Sequence, residues 1–176
     1  MTDLAIRPAT AADVPAITAI YGEAVRTGTG SFELAPPTEL DMAGRFGALE
    51  ASGHPWLVGE SDGAVVGFAY AGPYRSRPAY RDTVEDSIYL LPGARGKGIG
   101  KRLLAVLIEE ATTRGYRQMV GVIGDSANIA SMRLHLAMGF RHVGTLTHVG
   151  WKHGRWLDTV IMQLPLGPAE TVPPNP

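Results

Sequence analysis

The sequence predicts one domain of the α/β or α+β class, in which helices cover both faces of a twisted, mixed and mostly antiparallel sheet. Three observations lead to this class. The chain has 176 residues, which suits a single core. Hydrophobic residues make up 45% and charged residues 19%, as in globular chains rather than disordered ones. Strand-like and helix-like patterns alternate along the chain, and one pair of strands is joined by a hairpin turn.

The chain begins with a short strand followed by two helices. Residues 4–6 form an apolar strand, and Thr10 with Asp13 has the pattern of a capping box at the start of a helix. A second helix is predicted over residues 38–50, although its glycines weaken the amphipathic pattern. The apolar face of the first helix consists of Val14, Ile17, Ile20, Tyr21 and Val25.

Three strands are predicted in the middle of the chain. Residues 56–60 and 64–71 read as strands on either side of an Asp-Gly pair, which is typical of a two-residue hairpin turn. Residues 83–91 form the next strand, which ends at Pro92. This part of the sheet is therefore expected to be antiparallel.

The second half of the chain contains two helices and three strands. A helix follows the glycine-rich turn and runs to Arg114, and a strand is predicted over residues 118–123. A further helix covers residues 127–138, and strands over 141–149 and 156–164 complete the domain. We predict one domain over residues 1–166 and a disordered, low-complexity tail over residues 167–176.

Composition excludes several classes of function. The chain has no cysteine, so it has no disulfide, no thiolate nucleophile and no cysteine-bound zinc. A formal net charge of -1 disfavours a nucleic-acid-binding protein. The N-terminus lacks a basic start with an apolar run, and no stretch reaches the roughly 20 apolar residues that span a bilayer. We therefore expect a cytoplasmic protein without nucleic-acid or membrane partners, and no cluster of metal ligands is visible.

The most informative segment is the glycine-rich turn over residues 91–101, between a strand and a helix. The first N–H groups of a helix have no partner within it and lie at its positive end, so they bind phosphate oxygens. Glycine allows close approach, and Arg95, Lys97, Lys101 and Arg102 add positive charge. The alternative is a turn that merely tolerates glycine. A Walker loop is disfavoured because neither lysine precedes Ser or Thr, and a dinucleotide fold because the turn comes past the midpoint of the chain.

The turn resembles a known family motif. Residues 95–100, Arg-Gly-Lys-Gly-Ile-Gly, match the pyrophosphate turn Arg/Gln-x-x-Gly-x-Gly/Ala of the GNAT acyltransferase superfamily. Residues 71–77, 80–89, 131–135 and 150–156 resemble the phosphinothricin and methionine sulfoximine N-acetyltransferases within that superfamily. The likeness extends over nearly the whole chain. It implies the GNAT fold, acetyl-CoA as donor, direct transfer to a small amino-acid-like acceptor, and a homodimer.

The resemblance also implies a set of donor-binding residues. The pyrophosphate is expected on the glycine turn and the pantetheine arm along the edge of the strand before it, where amide groups pair as a peptide would. The Leu90 N–H is expected to meet the developing oxyanion. The donor-binding residues are Ile88, Tyr89, Leu90, Arg95, Gly96, Lys97, Gly98, Ile99, Gly100, Asn128 and Ser131.

Two catalytic residues are predicted. An amine must lose a proton before it attacks, and strand alternation puts Glu85 and Asp86 on opposite faces, so only one can serve as base. The resemblance selects Glu85; the alternative is a solvated carboxylate. His135 shares a helix face with Asn128 and Ser131. It stands where many superfamily members have a tyrosine that protonates the thiolate, whereas the phosphinothricin group has histidine there. An imidazole can serve as the acid or assist the base. The alternative is a helix histidine bonded to a carbonyl.

The acceptor pocket is expected to use two arginines and two loops. Guanidinium groups of Arg75 and Arg77 suit a carboxylate, phosphinate or sulfoximine group, with surface arginines as the alternative. The remaining candidates, for which ordinary loop or turn packing is the alternative, are Phe32, Glu33, Lys152 and His153. The predicted function is acetyl transfer to the α-amine of phosphinothricin, methionine sulfoximine, methionine sulfone or a similar amino acid. Other amines such as protein N-termini, a non-catalytic CoA sensor and a structural subunit remain alternatives.

Overall fold

The computed structural model describes residues 4–173. The predicted order of strands and helices is confirmed, with boundaries that shift by a few residues. Three short 3₁₀ turns, at Ala11–Asp13, Pro78–Tyr80 and Pro92–Ala94, were not predicted. The elements are β1 (Leu4–Pro8), α1 (Val14–Thr27), α2 (Glu39–Ala51), β2 (Trp56–Ser61), β3 (Ala64–Pro73), β4 (Thr83–Leu90), α3 (Ile99–Thr113), β5 (Gln118–Gly124), α4 (Ile129–Ala137), β6 (Arg141–Lys152) and β7 (Arg155–Pro165).

The strands form one sheet in the order β1-β2-β3-β4-β5-β7-β6. All neighbours are antiparallel except β4 and β5, so the predicted mixed, mostly antiparallel sheet is confirmed. The parallel pairing of β4 with β5 ends at Asp86 and Gly121. Beyond that rung β4 continues to Leu90 and β5 to Gly124, and the two strands separate.

Helices cover both faces of the sheet, as predicted. Helices α1 and α2 bury Ile17 and Phe46 against Trp56 and Phe68 on one face. Helix α3 buries its apolar stripe on the other face, where side chains of α4 also pack; the most deeply buried residues there include Leu103, Leu104, Leu107 and Met119. Each such side chain contributes about 1.5–3 kcal/mol by leaving water.

Helix α2, the element with the weakest sequence pattern, is held at its start by a capping box. The Thr38 hydroxyl accepts a hydrogen bond from the Asp41 amide at 3.1 Å, and the Asp41 carboxylate accepts from the Thr38 amide at 3.0 Å. Both orphan N–H groups are thereby satisfied, which typically stabilises a helix by about 1 kcal/mol. The cap offsets the cost of the glycines inside the helix.

The chain after β7 returns to the body of the domain. Leu166 is buried, and its amide donates to the Arg117 carbonyl at 2.9 Å. Turns follow up to Pro173, whereas residues 1–3 and 174–176 lie outside the described part. The boundary at residue 166 and the disorder of the tail stay predictions. No helix within residues 4–173 has the length and hydropathy needed to cross a bilayer.

Candidate active site

The separation of β4 from β5 opens a cleft of about 590 Å³. Its walls are the two strands, the start of α3, one side of α4 and the loop over residues 28–30, and its volume suits a small-molecule site. Ile99 and Lys97 are not among the lining residues, and the Ile99 side chain is buried in the core instead. Nine of the predicted donor-binding residues do line it: Ile88, Tyr89, Leu90, Arg95, Gly96, Gly98, Gly100, Asn128 and Ser131.

The glycines of the turn are required for two different reasons. Gly96 and Gly98 have φ of +73° and +79°, in the left-handed region that side chains disfavour. A Cβ at either position would meet no described atom within 4 Å, so conformation and not crowding selects glycine there. Gly100 lies inside α3, where a Cβ would lie 3.4 Å from side-chain atoms of both Leu134 and Leu90. Its lack of a side chain brings α3, α4 and β4 together.

The start of α3 presents free amides to the cleft. The first hydrogen bond within the helix runs from the Arg102 amide to the Gly98 carbonyl at 3.2 Å, so the amides of residues 99–101 have no partner inside the helix. Arg95 and Lys101 line the cleft beside them. Unpaired amides at the positive end of a 15-residue helix, with two cations next to them, fit a diphosphate.

The edge of β4 is open on the side of the cleft. The Leu91 amide donates to the Val66 carbonyl on β3 at 3.0 Å. Because successive amides of an extended chain point to opposite sides, the Leu90 and Ile88 amides point away from β3, toward the gap left by β5. This edge can therefore pair with the amide groups of an extended ligand.

Glu85 lies on the face of β4 opposite to the cleft's α4 wall. It is half-buried and shares that face with Ser87 and Tyr89. Burial raises the pKa of its carboxyl, and the charge of Arg75 acts in the opposite direction. A carboxylate whose pKa is raised toward neutrality is a better proton acceptor than an exposed glutamate.

His135 is bound to Asp86, the neighbour of the predicted base. The two side chains are only 2% and 1% exposed, and His135 Nε2 lies 3.0 Å from Asp86 Oδ2. Burial by itself lowers the pKa of His135, but the hydrogen bond and charge of Asp86, with the Ser131 carbonyl, outweigh it and raise the pKa. Glu85 and His135 thus lie on opposite faces of β4. The sequence analysis missed the ion pair, although a histidine on the inner face of α4 was a signal for it.

Four predicted acceptor residues meet around the loop between α1 and α2. Glu33 accepts hydrogen bonds from Arg45 at 2.6 Å and from the Tyr21 hydroxyl at 2.9 Å. Phe32 packs against Gly150 on β6, which has no side chain to displace it. The turn of the β6–β7 hairpin reaches the same loop through Lys152 and His153.

The β6–β7 hairpin holds this loop from its other side. Lys152 is buried, and its Nζ donates to the Ser31 carbonyl at 2.7 Å. Burial lowers the pKa of Lys152. His153 Nε2 donates to the Gly28 carbonyl at 3.2 Å. These contacts give both residues a structural task in shaping the loop.

The two predicted arginines lie on the loop after β3. Arg75 stacks on the Tyr74 ring at 4.3 Å and is close enough for its charge to lower the pKa of Glu85. Arg77 precedes the 3₁₀ turn Pro78–Tyr80 and is exposed. Of the two arginines, Arg75 is the one whose charge acts on the pKa of the Glu85 carboxyl.

Asp125 is a site residue that the sequence analysis missed. It follows β5 with φ of +71°, lines the cleft, and accepts hydrogen bonds from Thr29 at 2.9 Å and from Arg155. It thereby ties the α1–α2 loop and the β6–β7 hairpin to the end of the cleft. Within residues 4–173 there is no group of three or more His, Asp or Glu that could hold a metal ion.

Comparison with known proteins agrees with this geometry. Residues 17–140 match the model of the Acetyltransferase (GNAT) family. The chain belongs to the GNAT family. It is an N-acetyltransferase that uses acetyl-CoA as cosubstrate, and the free amides, flanking cations and open strand edge of the cleft fit that donor.

Among GNAT proteins, the chain is similar to enzymes with named acceptors. It is 50% identical over 163 residues to a phosphinothricin N-acetyltransferase of Alcaligenes faecalis, covering 93% of this chain and 83% of that protein. It is 42% identical over 172 residues to an L-methionine sulfoximine/L-methionine sulfone acetyltransferase of Pseudomonas paraeruginosa, covering 96% and 98%. A crystal structure of a Sinorhizobium meliloti phosphinothricin acetyltransferase with AcCoA superimposes with a TM-score of 0.95 at 48% identity, covering 98% of this chain and 93% of that one.

Proposed function

We propose that this GNAT enzyme transfers the acetyl group of acetyl-CoA directly to the α-amine of a small amino acid or analogue of the phosphinothricin, methionine sulfoximine and methionine sulfone class. The observation that carries the proposal is the half-buried Glu85 carboxylate, whose pKa is raised by burial and on which the charge of Arg75 acts, on the strand β4 that forms one wall of the donor cleft. The named activities of the relatives support the same acceptor class.

Glu85 is the general base of the proposed reaction. It removes a proton from the acceptor's ammonium group, directly or through water, and the free amine attacks the thioester carbonyl. The Leu90 N–H, which points into the gap beside β4, donates to the oxyanion that develops. The C–S bond then breaks, and the proton that the attacking nitrogen still has to lose passes to the leaving thiolate, directly or through water. The products are the N-acetylated acceptor and CoA as the thiol.

The acceptor is proposed to lie between the Arg75 loop and the α1–α2 loop. A guanidinium near Glu85 would bind the acceptor's carboxylate or its phosphinate or sulfoximine oxygens while leaving the amine at the base. Phe32 and Glu33 shape the opposite side, held in place by Lys152. Arg77 and His153 complete the predicted acceptor set; the exposure of Arg77 and the bond of His153 to the loop favour indirect roles for both.

The test is a panel of acceptors with acetyl-CoA, read by released thiol. The panel contains phosphinothricin, methionine sulfoximine, methionine sulfone, methionine, several unrelated amino acids and a short peptide with a free N-terminal alanine. We expect turnover with the first three and little with the peptide. Turnover with the peptide alone would contradict the proposed acceptor class. Tight CoA binding with no thiol release from any amine would instead support a sensor.

We also propose that the enzyme is a homodimer. Support comes from exposed apolar side chains on β6 and β7, which would be buried if a second copy of the chain packed against these strands. Size-exclusion chromatography with light scattering is expected to give twice the mass of the chain, and Trp156→Lys to shift it to the monomer. A wild-type monomer at micromolar concentration would contradict this. The exposed apolar side chains are those of Val143, Leu146, Val149, Trp151 and Trp156.

Two further parts of the proposal concern the cell. The absence of cysteine is compatible with a reducing compartment, and we propose a cytoplasmic location, which cell fractionation would test. Acetylated phosphinothricin no longer carries its free amine, so we propose that the enzyme confers resistance to this compound. Expression in a sensitive host, compared with expression of Glu85→Gln, is expected to restore growth only for the wild type.

A further inference from the structure

The Asp86–His135 ion pair lies at the apex of the donor cleft. The paired part of β4 and β5 ends at Asp86 and Gly121, and both Asp86 and His135 line the cleft that begins there. His135 reaches this rung from α4 and lies against Gly121. A Cβ at Gly121 would come 3.0 Å from Cδ2 and 3.1 Å from Nε2 of the ring, and 3.3 Å from Asp86 Oδ1. Three elements therefore meet at the pair, in a space that only glycine on β5 leaves open.

The shortest contact of each ring nitrogen of His135 is with an oxygen atom that accepts hydrogen bonds; the Ser131 hydroxyl, which could donate, lies farther from Nδ1, at 3.5 Å. Nδ1 lies 2.8 Å from the Ser131 carbonyl oxygen, and Nε2 lies 3.0 Å from Asp86 Oδ2. A carbonyl oxygen and a carboxylate oxygen have no proton to donate, so each ring nitrogen carries one. The pair is thus an imidazolium and a carboxylate, and each partner is almost completely buried.

Among residues 4–173, Asp86 is the charged group that acts on the His135 ring. The ring meets the edge of Phe140, with centroids 4.9 Å apart, the Ser131 carbonyl from α4, and side-chain-free Gly121 from β5. Asp86 Oδ1 has no hydrogen-bond partner among the described residues. A proton that left His135 would leave a buried carboxylate uncompensated, which is strongly unfavourable.

We propose that Asp86 and His135 are positioning residues: their hydrogen-bonded pair holds α4 against β4 where the strands separate, and so sets the width of the cleft that receives the pantetheine arm. This replaces the role as acid or as an aid to the base that the sequence predicts for His135, and it rests on the proposed function in taking acetyl-CoA as the ligand of the cleft. Asn128, the N-cap of α4, and Ser131 in its first turn line the same cleft. A shift of α4 therefore moves cleft walls directly.

The first test is CoA affinity, measured by calorimetry without any acceptor. In Asp86→Asn the new side-chain amide keeps the shape of the carboxylate. Its NH₂ group can donate a hydrogen bond to Nε2 of a neutral His135, so we expect a Kd for CoA within about threefold of wild type. In His135→Ala the buried carboxylate loses its partner, and we expect a Kd at least about tenfold higher. Adding Asp86→Asn to His135→Ala removes the stranded charge and is expected to recover part of the loss. The control is His142→Ala, at an exposed histidine that bonds to Thr145.

The second test separates positioning from proton transfer. We expect the KM for acetyl-CoA to rise in His135→Ala while the pH profile of kcat keeps its shape. In wild-type enzyme, both ring nitrogens of His135 are expected to remain protonated at pH 7.5 by nitrogen-15 NMR. A His135→Ala variant that is folded at the assay temperature and binds CoA like wild type would overturn the proposal. So would an Asp86→Asn variant as impaired as His135→Ala, or a ring that loses one proton between pH 6 and 8 in an enzyme whose pH profile of kcat loses the matching limb in His135→Ala. A wild-type protein that does not bind CoA would contradict the donor assignment instead.

Discussion

Replacing Gly98 with aspartate tests the diphosphate site at the start of α3, and its effect can be worked out from the structure. Gly98 has φ of +79°, and a Cβ there would meet no described atom within 4 Å. The side chain therefore fits and has two effects. The left-handed conformation costs about 1–2 kcal/mol in a residue with a side chain, and less for aspartate, but this cost is paid on folding. The new carboxylate would stand about 4–8 Å from the diphosphate, where repulsion is about 2–4 kcal/mol at an effective dielectric constant of 20.

Only the repulsion acts on ligand binding, so CoA affinity is expected to fall by about 30-fold to 700-fold in Gly98→Asp. Calorimetry with CoA is the assay, and the loss should shrink at high salt because salt screens exposed charges. Two controls separate charge repulsion from backbone strain. Gly98→Ala has the backbone strain without the charge, and Gly93→Asp places the charge at a turn glycine that does not line the cleft. Binding of pantetheine, which lacks the diphosphate, should be unchanged. If Gly98→Asp bound CoA as tightly as Gly98→Ala, the diphosphate would not lie on this turn.

Three further changes test other parts of the molecule. Glu85→Gln is expected to lower turnover by about 10²–10⁴-fold with unchanged CoA affinity. It should also remove the acid limb of the pH profile of turnover, which the raised pKa of Glu85 moves to higher pH in the wild type. The control is Glu109→Gln on the exposed side of α3, and unchanged turnover in Glu85→Gln would exclude Glu85 as base. Lys152→Met leaves the Ser31 carbonyl without its buried donor, so the free energy of unfolding, measured in urea, should fall by about 1–3 kcal/mol. The KM for the acceptor should rise. A variant as stable as the wild type would contradict the contact. Asp13→Asn should lower the free energy of unfolding at pH 7 by about 2 kcal/mol, because the hydrogen bond from Arg7 holds the pKa of Asp13 at about 2 against its usual 3.8. That stabilisation is present above about pH 4 and is lost as pH falls toward 2, so the two proteins should converge in acid; a constant difference would refute the linkage.

The structure of the glycine turn could be predicted because its causes are local. Gly96 and Gly98 adopt left-handed conformations and α3 begins directly after them, so the backbone of the turn follows from six consecutive residues. The capping boxes of Thr10 and Thr38 are local in the same sense, since each joins residues three apart. Alternation along β4 likewise separated Glu85 from Asp86 correctly. The weak helix over residues 38–50 was also correct, because its cap and apolar positions are contained in the segment itself.

The contacts between distant segments were not predictable in this way. Asp86 and His135 are 49 positions apart, and Ser31 and Lys152 are 121 apart. Each pair meets only because β5 lies between β4 and β7, because the β4–β5 pairing stops at Gly121, and because the β6–β7 hairpin reaches back to the α1–α2 loop. A one-residue slip in any of these registers would turn the side chains to the opposite face.

The amino-acid sequence alone determined the class of fold, the order of its elements, the glycine-rich turn before α3 and the family to which the chain is similar. These follow from periodicity and backbone preference within short segments. The tertiary structure decided which charged groups are paired, which are buried, and which face of β4 each predicted residue serves. The reason is that hydrogen bonds and burial depend on distances between elements far apart in the chain, and those distances exist only once the sheet is assembled.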